Sequence, residues 1–164
     1  MQKLETILKQ KLENARRVAI LGIGSDLRGD DVAGILTAQQ IEKIIRRKKT
    51  LPEVRVFIGE TAPENLTGEI KLFQPTHLII IDSADLDKEP GQVRLLNPDE
   101  IGGTSFCTHS LPLKVIIGYL LDSFKFQAII IGIQPKTLTF GSQPTKDVLT
   151  AAKKLSSTIA KLLK

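Results

Sequence analysis

The chain has 164 residues, 41% of them hydrophobic and 25% charged, the make-up of one globular domain with enough apolar side chains to bury a core. No apolar run approaches the ~20 residues that span a bilayer, and residues 1–17 carry charges throughout without an apolar signal segment, so neither membrane insertion nor export is expected. A single cysteine, Cys107, excludes an internal disulfide and fits a reducing cytoplasm, while a net charge of +5 with no Trp and one Tyr reads as solvated basic faces and not as a nucleic-acid surface.

Leu4, Ile7, Leu8 and Leu12 recur at helical spacing and predict an amphipathic helix over residues 4–16. The apolar run Val18–Gly24 predicts a buried strand that ends in a tight glycine turn. Asp31–Lys49 reads as a long helix, apolar along Val32, Ile35, Leu36, Ile41, Ile44 and Ile45, with a basic cluster at the negative end of its dipole. Glu53–Glu60 alternates as a second strand, and Pro63–Phe73 reads as a short helix with proline in its first turn. His77–Asp82 is apolar on both faces, the mark of a central strand, and Gln92–Leu96 is a short edge strand after the Pro90-Gly91 turn. A helix over Ser110–Phe124, a buried strand over Gln127–Ile133 and an amphipathic helix over Thr145–Leu163 complete the series. Strands that alternate with helices and are apolar throughout predict one domain, residues 1–164, with a three-layer α/β/α fold. Its mainly parallel sheet has about five strands and helices on both faces.

In such sheets ligands bind at the carboxyl ends of the strands. Three polar positions fall there. Asp31, beside Asp30, follows the first strand; Asp82 ends the central one; His109 stands in Cys-Thr-His-Ser before a helix. Each has an ordinary reading when taken alone: helix capping for the acid pair, a loop anchor for Asp82, a surface or capping histidine for His109. Taken together, two carboxylates and an imidazole form a three-ligand set with open positions, suited to a divalent zinc, nickel or iron ion. The loop Asn97–Cys107 just before His109 reads as a mobile cover. Gly22-Ile23-Gly24 is not a dinucleotide fingerprint, because Leu27 stands where the third glycine belongs and two acids would repel a pyrophosphate. Arg28, Cys107 and His77 are read as surface, buried and structural residues in turn.

Several motifs in register resemble the hydrogenase maturation endopeptidases, in the branch serving formate-hydrogenlyase-type and related archaeal nickel–iron hydrogenases. These are GIGSDLRGDDVAG, GETAPENLTGEI, QPTHLIIIDSADL, PGQVRLLNPDEI, THSLPL and IIGIQP, spread from about Val18 to about Pro144. The resemblance implies an α/β/α peptidase that removes a C-terminal extension from the hydrogenase large-subunit precursor after nickel insertion. It implies that Asp31, Asp82 and His109 are the catalytic, metal-contacting residues. The nickel would be supplied by the precursor, with another divalent metal bound weakly in its place as the alternative. The chain departs from the family pattern at Ser25, where Asn is common, and at Val32, where Gly is common. Neither change removes a proposed ligand. The reading from another class is a non-catalytic assembly factor that binds metal or peptide in the same groove.

Overall fold

A computed structural model describes residues 2–46, 52–97 and 113–164. The described elements follow the expected order. They are α1 (Gln2–Lys11), β1 (Arg17–Ile23), α2 (Ala33–Ile45), β2 (Glu53–Glu60), α3 (Thr67–Phe73), β3 (His77–Ser83), β4 (Val93–Leu96), α4 (Leu113–Leu121), β5 (Gln127–Ile133) and α5 (Lys146–Leu162). Short 3-10 turns at Gly29–Val32 and Pro63–Leu66 lead into α2 and α3.

The strands form one sheet in the order β2-β1-β3-β5-β4. Every neighbouring pair is parallel except β4, which runs antiparallel to β5 at the edge. Strand pleating divides the apolar side chains between two cores. Val18 and Ile20 of β1, Ile79 and Ile81 of β3, and Ile129, Ile131 and Ile133 of β5 face the layer built by α1, α2 and α5. Ala19, Leu21, Leu78, Ile80 and Ile130 face the layer built by α3 and α4. All seven residues of β3 are buried, as a central strand covered on both sides requires. Each fully buried Ile or Leu contributes ~1.5–3 kcal/mol relative to exposure, and this two-sided burial holds the sheet between its helix layers.

One close approach sets the geometry of the carboxyl edge. A Cβ on Gly34, in the first turn of α2, would overlap the carbonyl oxygens of Ile81 and Ile23. Without a side chain there, α2 settles directly over β1 and β3. Among the described residues, no helix is long and apolar enough to cross a membrane.

The expected helix starting at Asp31 differs in detail. The chain first makes the 3-10 turn, and α2 begins only at Ala33, with Val32 at its N-cap and no side-chain capping bond. The capping reading of the acid pair is therefore corrected: both acids turn inward instead. The expected positions of residues 47–51 and 98–112, which include His109, Cys107 and most of the loop Asn97–Cys107, lie outside the described residues.

Candidate active site

The site is assembled where β1 and β3 end beneath the start of α2. After Ile23 the chain turns at Gly24, whose φ of 140° is a region L side chains rarely adopt. A Cβ at Gly24 would also strike the Asp31 carbonyl. The glycine thus lets the β1 exit and the acid-bearing turn pack against each other. Gly24 N–H donates to Glu60 O at 2.9 Å, which ties the exit of β1 to the end of β2.

The two adjacent acids have separate partners. Asp30 is fully buried. Its Oδ2 accepts from the backbone N–H groups of Lys136 (2.8 Å) and Thr137 (3.2 Å) and from the Thr145 hydroxyl (3.0 Å), while Oδ1 accepts from Thr145 N–H at 2.6 Å. Its own N–H donates to Thr137 O at 2.9 Å. Asp30 is a clamp joining the β1–α2 turn to the loop between β5 and α5. Its carboxylate is held by donors placed around it, as burial of a charge demands. Arg28 serves the same junction, with Nε donating to Leu138 O at 3.4 Å.

Asp31, also fully buried, points the other way. Its Oδ1 accepts from the Ser83 hydroxyl at 2.7 Å. Asp82, 1% exposed, accepts at Oδ1 from Ser83 N–H, also at 2.7 Å. The two carboxylates therefore stand at one edge of the sheet, bonded to one residue. Asp82 belongs to the row of β3 that faces α3 and α4, whereas Ser83 belongs to the row under α2; the end of the strand is where side chains from the two faces meet.

Gln134 supports the far wall. It is 8% exposed. Its Oε1 accepts from Leu86 N–H (2.7 Å) and Lys88 N–H (3.3 Å), and its Nε2 donates to Asp85 Oδ1 (3.4 Å) and Pro135 O (3.2 Å). The loop leaving Asp82 is shaped by this one amide. Between the exit of β1, the start of α2 and the end of β2 opens a cleft of about 540 Å³, lined by Gly24–Leu27, Val32, Ile35, Leu36, Gln39, Ile58, Glu60 and Thr61; the buried Asp31 and Asp82 do not line it.

His77 lies at the opposite, amino edge of β3, as its structural reading requires. Its Nδ1 is 2.9 Å from the Thr76 hydroxyl, and burial pushes its pKa below the usual 6.5, against smaller opposing effects of Gln127 and the Lys11 backbone. Among the described residues, no group of three or more His, Cys, Asp or Glu side chains is placed to hold a metal. That part of the chain contributes Asp31 and Asp82 to the expected triad; His109 lies outside it. Sequence reasoning missed Ser83 and Gln134. The signal was present for both: a polar residue where an apolar one would continue a buried row.

An α/β/α sheet with buried acids at its carboxyl edge defines a class of ligand- or substrate-handling domains, not one activity. The comparisons narrow it. The family model for the HycI hydrogenase maturation protease matches residues 35–162. The hydrogenase 3 maturation protease of Escherichia coli K12 is 33% identical over 134 residues, covering 79% of this chain and 82% of that protein. The crystal structure of the [NiFe] hydrogenase maturation protease HycI from Thermococcus kodakarensis KOD1 superposes with a TM-score of 0.86 at 28% identity, covering 96% of this chain and 98% of the other. The solution structure of the E. coli endopeptidase HycI gives 0.73 at 31%, covering 86% of each chain. The chain belongs to the hydrogenase maturation protease family. It is a peptidase.

Proposed function

We propose that this peptidase removes the C-terminal extension of a nickel–iron hydrogenase large-subunit precursor after nickel insertion. Asp31, Asp82 and His109 meet the nickel that the precursor carries. The observation that supports this most is the placement of Asp31 and Asp82, from separate elements, on either side of Ser83 at the sheet's carboxyl edge. His109 stands four residues before Leu113, the first residue of α4, and joins the pair through the motif THSLPL.

Carboxylate oxygens with an imidazole suit a borderline divalent ion such as nickel. A nickel ion met by Asp31, Asp82 and His109 would supply Lewis-acid polarisation of the scissile carbonyl, with one of the carboxylates as general base toward water. Recognition through the ion's charge would make cleavage follow metal insertion, which gives assembly its order. The single cysteine fits action in the cytoplasm.

Asp31→Ala, Asp82→Ala and His109→Ala should each abolish processing of nickel-loaded precursor while the circular-dichroism spectrum stays that of a folded protein. Processing retained by any two of them would remove the assignment. Unfolding of all three would show that these residues serve packing.

A further inference from the structure

We infer that Ser83 is a positioning residue for Asp31, fixing the spacing of the two acids; this rests on the proposed reading of Asp31 and Asp82 as site residues. Strand β3 has a regular pleat. Ile79 and Ile81 face the cluster under α2 and α5, Leu78 and Ile80 face the opposite cluster, and Ser83 continues the first row. A hydroxyl stands where the pattern calls for a further aliphatic side chain.

Burying that hydroxyl is unfavourable unless it is bonded. Ser83 is 1% exposed, so its donor has little access to water. It goes instead to Asp31 Oδ1 at 2.7 Å, a short bond to a carboxylate. A hydroxyl has one proton to donate, and this geometry commits it to Asp31. The same residue's N–H goes to Asp82 Oδ1 at 2.7 Å.

The consequence is geometric. Asp31 reaches the site from a turn, and turns are less precise supports than strands. Its backbone is secured by the Asp30 clamp, and the bond from Ser83 constrains the torsion of its carboxylate at Oδ1. Asp82 is bonded to the backbone of that same residue. One serine at the end of a fully buried strand thus holds an oxygen of each acid, through its hydroxyl and its N–H. A displaced carboxylate would still lie near an incoming substrate yet meet it in the wrong orientation, and orientation weighs on turnover more than on binding.

The test measures kcat and KM for nickel-loaded precursor, with melting temperature, for the wild type, Ser83→Ala, Ser83→Thr, Ser83→Cys and Asp31→Ala. Ser83→Ala should lower kcat about ten- to a hundredfold, the size expected for losing a bond to a charged group, with KM nearly unchanged. Ser83→Thr keeps the hydroxyl and should restore kcat to within a few-fold of wild type. Should Ser83→Ala not fold, Ser83→Cys carries the comparison, since a thiol is a weak donor. It should show the same loss of kcat. Wild-type kcat in Ser83→Ala or Ser83→Cys, or a loss confined to KM, overturns the inference. Asp31→Ala keeps the two questions apart. If it is inactive, failure of the serine prediction leaves the acid reading intact; if it processes like the wild type, the acid reading itself has failed.

Discussion

Replacing Asp30 with alanine isolates the structural half of the acid pair. The carboxylate accepts from three backbone N–H groups and one hydroxyl, at 2.6–3.2 Å, and is itself fully buried. Alanine leaves all four donors without their acceptor. An unmade buried bond costs ~1–3 kcal/mol. The junction around Lys136, Thr137 and Thr145 is only partly buried, so water reaches some of these groups and the low end applies. The expected loss is about 3–4 kcal/mol. For a domain of this size each kcal/mol moves the melting temperature by ~2–4 °C, which gives a fall of ~6–16 °C. Asp30→Asn retains one accepting oxygen. Placed where Oδ2 stands, it keeps three of the four bonds and turns its NH2 toward Thr145 N–H, so the loss should be smaller than for alanine but not zero. Thermal melts of the three proteins in one buffer provide the comparison. A melting point for Asp30→Ala within about a degree of wild type would refute the clamp, because no arrangement of four lost bonds is that small.

Two further predictions concern the frame around the site. Gly34→Ala places a methyl group against the Ile81 and Ile23 carbonyls, so α2 must lift from the sheet. The loss should exceed the ~1–3 kcal/mol typical of overpacking, read as a lowered urea midpoint. His77 predicts a pH dependence. Its pKa is lowered in the folded protein by burial, so below about pH 6.5 the unfolded chain binds the more protons. Stability present at neutral pH is lost as pH falls from that value through the lower folded one, then levels off. His77→Gln should flatten the change in melting temperature between about pH 7 and about pH 5. An unchanged slope would show that other groups cause it.

Much of the fold was legible because strand signals are local. Glu53–Glu60 and Gln127–Ile133 fall on the predicted bounds, since an apolar or alternating run ends where the burial ends. The start of α2 was less legible. Asp30 and Asp31 look like a capping pair in sequence, and nothing local separates their roles. The partners that divide them lie 52 residues away for Asp31 and 106 to 115 away for Asp30. Asp82 was readable from its place at the end of HLIIID. Ser83 was not weighed, although the period of the strand had already assigned it to the buried face under α2. The division of labour is thus tertiary, while the positions themselves follow from where strands end.

The most direct measurement is an incubation of the purified protein with hydrogenase large-subunit precursor, nickel-loaded and nickel-free, followed by gel analysis of the large subunit. The loaded precursor should be shortened at its C-terminus and the nickel-free precursor left intact. Equal cleavage of both, or a stable complex with no cleavage of either, would contradict the account.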